Sequence, residues 1–234
     1  MTSTLDNSPE QVARVQRRTL RVLFSSQVLG GVGVGIGIAV GSLLTEEMSG
    51  SATLAGLPQT FSVLGGALAA VPLAQVMARH GRRPGLASGY GVGALGAAVV
   101  VLATVTQSLA LVLAGMALFG VSSATNLQAR YAATDLALPD HRSRSLATVV
   151  WATTVGAVAG PNLMAPAAQL AQDAGLPRYA GPFAWSVLAF GLAAALLLLA
   201  LRPDPMRVAQ AQHRSGGIEM RRASVWQSLA ATAS

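Results

Sequence analysis

Apolar and polar positions along this chain alternate in blocks of twenty or so residues, not in steps of two or four. Six stretches, residues 22–44, 53–78, 86–106, 109–129, 146–171 and 183–201, contain no acidic or basic side chain. A helix of about 20 apolar residues crosses a hydrocarbon core of about 30 Å, so each stretch is long enough to span a bilayer. Lipid offers no partner to backbone N–H and C=O groups, which restricts spanning structures to helices and closed barrels. The period-two alternation of barrel strands is missing. The pattern therefore predicts an all-α integral membrane protein with a bundle of six transmembrane helices. It divides the chain into an N-terminal segment (1–21), the bundle (22–201) and a basic tail (202–234).

Composition sharpens this reading. Hydrophobic residues make up 52% and charged residues 11%, with a mean hydropathy of +0.52. Soluble domains run near a quarter charged, so the solvent around most of this body is lipid. With no cysteine, disulfides, thiolate metal sites and cysteine nucleophiles are excluded. The net charge of +7 would point to nucleic acid if the basic residues striped a soluble face. They fall instead in clusters between apolar runs, and no nucleic-acid partner is expected.

Those clusters set the orientation, because arginine concentrates in cytoplasmic loops. All sixteen basic residues are arginine. Arg14, Arg17, Arg18 and Arg21 precede the first stretch; Arg79, Arg82 and Arg83 follow the second. Arg142 and Arg144 follow the fourth, and Arg202, Arg207, Arg214, Arg221 and Arg222 follow the sixth. The opposite side has Arg178 with Glu46, Glu47 and Asp173. Both termini are thus expected in the cytoplasm and the bundle in the cell membrane. A cleaved signal peptide would also begin with a basic region before an apolar one. The 23-residue run and its repeated glycines fit a packing helix better.

Within the stretches, small residues recur at helical spacing: Gly33, Gly37 and Gly41 in the first, Gly89 and Gly93 in the third, Gly156 and Gly160 in the fifth. Four-residue spacing puts them on one face and lets a neighbouring helix approach. No phosphate-binding glycine loop fits the register. Pro58 and Pro72 are expected to interrupt the second stretch, Pro161 and Pro166 the fifth. Interrupted helices at matching places in two triplets point to a 3+3 inverted repeat. The fourth stretch runs into SSATNLQARYAATD, where Ser122, Asn126, Arg130 and Thr134 form one polar stripe. A guanidinium there needs water or a partner. It either snorkels to the interface, held by Asp135, or meets a solute. Asp135 is also a candidate partner for Arg79, Arg82 or Arg142. Gln27, Gln59, Gln75, Trp151 and Asn162 are further polar or amphipathic side chains in the spans, and no span contains a carboxylate.

Two motifs carry a family resemblance. Residues 74–83, AQVMARHGRR, are similar to the G-x-L-x-D-R-x-G-R-R loop that follows helix 2 of major facilitator superfamily transporters. Arg79, Gly81, Arg82 and Arg83 match, while Ala74 and Ala78 replace the glycine and the acid. Residues 156–165, GAVAGPNLMA, resemble the helix 5 pattern G-x-x-x-G-P-x-x-G-G of antiporters through Gly156, Gly160 and Pro161. The stretch RYAATDLALPDHRSR also looks like the end of that family's helix 4 and its loop. The resemblance implies a secondary active transporter of a small solute, with efflux indicated by the helix 5 motif. It places Gln27, Asn126 and Arg130 as candidate cavity residues and Arg79, Arg82, Arg83, Asp135 and Arg142 in a gating network. Family members have two six-helix bundles. This chain is therefore expected to be the first half of a longer transporter, a split product, or a half-unit that pairs with another bundle. A non-transporting membrane subunit is the alternative. No cofactor is expected, and no metalloprotease motif or paired intramembrane carboxylates point to an enzyme.

Overall fold

The computed structural model describes residues 9–211, and no strand occurs among them. Eight helices follow in order: α1 (Pro9–Ser49), α2 (Leu57–His80), α3 (Arg82–Thr106), α4 (Leu109–Phe119), α5 (Val121–Ala132), α6 (Arg142–Asn162), α7 (Met164–Asp173) and α8 (Ala180–Ala200). Helices α4 and α5 together form one apolar span, Leu109–Ala132, while α6 and α7 form a span bent by 46°. Counting the bent pair once gives six spans. The basic tail beyond residue 211, with Arg214, Arg221 and Arg222, lies outside the described residues.

Two features depart from the sequence pattern and a third follows it. First, α1 has 41 residues, or roughly 60 Å at 1.5 Å per residue, twice a hydrocarbon core. The segment expected to precede the first span is continuous with it, because its Gln, Arg, Ala and Leu residues favour helix. Second, α2 is unbroken. Pro58 sits in its first turn, where no N–H is required, and Pro72 lies inside the helix without ending it. Third, the fifth span does break. Pro161 and Pro166 remove donors on successive turns, and Leu163 N bonds the Gly160 carbonyl (2.9 Å) at the bend.

The spans pack with a regular exchange. The first span (α1) lies against the fifth (α6) and the sixth (α8). The fourth (α4–α5) lies against the second (α2) and the third (α3), and the third also packs on the sixth. Swapping spans one to three for four to six reproduces the same pairs, as a 3+3 repeat requires. The close approaches follow suit. Between α1 and α6, Gly31 and Gly35 face Gly156 and Gly160, and a Cβ at Gly156 would meet the Val28 carbonyl and the Gly31 Cα. Between α2 and the fourth span, Gly65 faces the backbone of Ala117 and Gly66 that of Gly120.

Gly33, Gly37 and Gly41 do share a face, but side chains fill it, not a helix backbone. Gly33 receives the Phe190 ring, Gly37 the Phe119 ring and Gly41 the Met116 thioether. These rings are core: Phe119, Phe183, Phe190 and Tyr90 are fully buried. Ring centroids of Phe119 and Phe190 are 5.1 Å apart, and those of Tyr90 and Phe190 are 6.0 Å apart, within the range of favourable aromatic pairs. Large apolar side chains such as Leu68, Leu102, Leu192 and Leu199 point outward, as a lipid solvent allows.

Gly156→Ala should therefore destabilise the bundle by about 1–3 kcal/mol, the usual cost of overpacking. Gly91→Ala, with open space around its Cα, should not. Thermal unfolding in detergent, followed by the loss of the monodisperse elution peak, separates the two; equal melting temperatures would remove the close-packing argument.

Candidate functional site

Two polar constellations interrupt the apolar body. The first lies at the arginine-rich end, where α2 turns into α3. Gly81 makes this turn at φ +100°, a conformation that side-chain-bearing residues rarely adopt, and its N–H bonds the Met77 carbonyl (2.8 Å). A Cβ at Gly81 would also collide with the Asp204 carboxylate. The turn aims Arg82 at the end of α5. Arg82 Nε donates to Asp135 Oδ2 at 2.8 Å and Nη2 to Oδ1 at 3.2 Å. This two-pronged arrangement is the strongest carboxylate geometry a guanidinium offers. The partners are only 14% and 16% exposed, and Arg82 Nη1 adds contacts to Gln128 Oε1 (3.5 Å) and Met77 Sδ (3.6 Å).

Of the three arginines offered to Asp135 by the sequence, Arg82 takes it. Arg79 is exposed, and its guanidinium has no hydrogen bond or ion pair among the described residues. Arg142 is exposed, and its Nε donates at 3.4 Å to the Ala137 carbonyl. Arg83 turns the other way: its backbone N–H donates to Asp204 Oδ2 (2.8 Å) and its Nε to the Leu198 carbonyl (2.7 Å). Asp204, just past α8, was missing from the sequence reading. Its signal was present, since it is the sole acid between the last apolar stretch and Glu219.

The second constellation is enclosed where α1, α3, α5 and α6 converge. Gln27, fully buried, donates through Nε2 to the Asn126 carbonyl (3.2 Å) and to Thr153 Oγ1 (3.1 Å). The Tyr90 hydroxyl lies 2.5 Å from both Gln27 Oε1 and Asn126 Oδ1. One hydroxyl proton serves one acceptor at a time, so the two amides share it. Buried tyrosines require such a partner, and the hydroxyl fits because Gly30 has no Cβ to obstruct it. Sequence reasoning found Gln27 and Asn126 but missed Tyr90 and Thr153. Tyr90 could have been found, as the lone tyrosine within an expected span.

Arg130 lies one helical turn beyond Asn126 and outside both networks. It is partly buried, and its Nε is buried without a hydrogen-bond partner. Nearby, α1 reaches the end of α5 through Gln16 Nε2, which donates to the Ala133 carbonyl (2.9 Å). The helix 5 motif residues serve packing: Gly156 and Gly160 seat α6 on α1, and Pro161 borders the bend. Trp151 is 68% exposed, on the side of α6 away from the glycines. No three His, Asp or Glu side chains gather as metal ligands among the described residues.

The profile of the Major Facilitator Superfamily matches residues 23–233. The MFS-type transporters YddS and YdeG of Bacillus subtilis (strain 168) are 42% and 40% identical to this chain, over 88% and 87% of its length. The riboflavin transporter RfnT of Brucella anthropi is 30% identical over 83% of the chain. The chain spans about half the length of these relatives, 47%, 47% and 48% respectively. The crystal structure of the E. coli fucose:proton symporter shares the fold, with a TM-score of 0.52 at 19% identity, over 78% of this chain and 47% of that one. A six-span bundle with paired triplets and a profile match along nearly its whole length identify a multi-pass membrane protein: the chain belongs to the major facilitator superfamily.

Proposed function

We propose that this bundle is one half of a secondary active transporter that carries a small solute outward across the cell membrane. The arginine-rich end faces the cytoplasm, as arginine clustering favours. A second six-helix bundle supplies the other wall, and the solute passes by alternating access between the two. Support for a missing wall comes from the relatives, which are about twice as long as the matched region. The direction rests on Gly156, Gly160 and Pro161 in the antiporter-like motif.

Arg130 is the observation that carries the reading. A guanidinium within a membrane bundle, with its buried Nε unpartnered, is costly unless something polar meets it. A solute with an acceptor group supplies that contact. Gln27 stands behind it as a positioning residue, its amide occupied at both ends by Tyr90, Thr153 and the Asn126 carbonyl, while Asn126, whose Oδ1 is taken by Tyr90, keeps its amide nitrogen as a second donor for the solute. The Arg82–Asp135 bridge holds the α2–α3 turn to the fourth span and serves as a latch that opens in one state of the cycle.

Riboflavin is the first solute to test, because a relative is named for it. A solute that raises the melting temperature of the full-length protein should also accumulate in inverted vesicles faster than in controls lacking the protein. Binding without any flux would defeat the transporter reading.

Arg82→Ala should lower turnover roughly ten-fold, within the range of conformational coupling energies, and change KM less than two-fold. Initial-rate kinetics decide this, and an unchanged turnover removes the latch. Arg130→Ala should weaken solute binding ten-fold or more, the magnitude of a lost charge-assisted hydrogen bond. Equilibrium binding to well-folded variant protein tests it; wild-type affinity would exclude solute contact.

A further inference from the structure

A cavity of about 600 Å³ opens at the arginine-rich end on the outer side of α3 and α8. Three arginines line it, Arg83, Arg202 and Arg207, with His80 and one acid, Asp204. That acid does not pair with the guanidinium groups. Its Oδ2 accepts the Arg83 backbone N–H, and its Oδ1 accepts those of Met206 (3.0 Å) and Arg207 (3.4 Å). The side chains of Arg83 and Arg207 are held in place by neutral backbone oxygens, Leu198 at 2.7 Å and His80 at 3.1 Å. Arg202 is exposed; its backbone N–H bonds the Ala200 carbonyl (2.9 Å), and its guanidinium has no hydrogen bond among the described residues. The cavity thus combines an excess of positive charge with donors still open to a ligand.

The wall beside the cavity is apolar. Leu198 lines it, and Leu188, Leu192 and Leu199 form an exposed row on α8, about a quarter-turn round the helix from Leu198. A basic pocket at the end of membrane spans, continuous with an exposed leucine track, is complementary to a molecule with an anionic head and an acyl tail. We propose that this cavity binds the phosphate head group of an anionic phospholipid, with an acyl chain laid along α8. Arg202 and Arg207 grip the phosphate while Asp204 organises the turn beneath it. The site shares no residue with the Arg82–Asp135 bridge or with Arg130, so it neither needs nor supports the transport reading.

Native mass spectrometry of the purified full-length protein, titrated with phosphatidylglycerol and phosphatidylcholine, tests the proposal. Phosphatidylglycerol should be retained preferentially. Arg202→Gln should weaken that retention about five-fold, the effect of one arginine near an anionic surface. Arg202→Gln with Arg207→Gln should abolish the preference. Arg144→Gln, exposed at the same end, should leave it intact, and excess inorganic phosphate should not displace the lipid. Melting in phosphatidylcholine checks that each variant is folded, and Arg202→Gln alone carries the test if the double variant is not. Equal retention of the two lipids, or a preference that survives in folded Arg202→Gln, overturns the proposal. So does loss of preference in Arg144→Gln, or displacement by inorganic phosphate, which would make the site one for free anions.

Discussion

Everything in this bundle depends on how closely α1 can approach α6. In lipid, burying one leucine against another gains little over burying it against an acyl chain, so helices adhere through close packing and interhelical hydrogen bonds. Gly31 and Gly35 against Gly156 and Gly160 remove the side chains that would hold the two backbones apart. That approach brings Thr153 within 3.1 Å of Gln27 and closes one side of the polar cluster. The equivalent approach of α2 to the fourth span uses Gly65, Gly66 and Gly120. Two related seams thus fix the positions of all the other helices, and the aromatic core of Phe119, Phe183 and Phe190 fills the space between them.

The polar groups divide by how completely they are satisfied. Tyr90, Gln27, Asn126 and Thr153 bond one another, so within hydrocarbon they act as a fixed junction of four helices. A satisfied network in a low-dielectric setting rigidifies what it connects. Arg82 and Asp135 are also matched, but at the edge of the bundle, where water competes for both. Arg130 stands apart, with a buried donor and no partner. The gradient from bonded junction to open donor runs along a single helix, α5, within little more than one turn.

Architecture was legible because it is written in blocks of twenty residues and in the distribution of arginine. Neither signal needs three-dimensional knowledge. The loop residues Arg82 and Asp135 were also legible as candidates, although choosing among Arg79, Arg82 and Arg142 required the turn at Gly81. Proline effects were only half readable. Pro161 and Pro166 act on successive turns and bend the span, whereas Pro58 falls in a first turn and Pro72 is tolerated. Sequence alone does not say where a helix will begin. Glycine faces were misassigned for a related reason. Every glycine in VLGGVGVGIGIAVG except Gly30 has a glycine four residues away, so spacing could not tell which face meets a backbone and which meets a ring. Asp204 and Thr153 were overlooked because their importance comes from partners more than a hundred residues away.

The bond between Asp204 and the Arg83 amide has a mechanical meaning. The polypeptide leaves the sixth span beside the very turn that positions Arg82, and it is fastened there before continuing toward residue 234. Tension on that outgoing strand would act first on the α2–α3 turn, and only through it on the bridge to α5. A pull at the exit would thus reach the fork of Arg82 through the single peptide link from Arg83, with the Gly81 turn yielding on its far side.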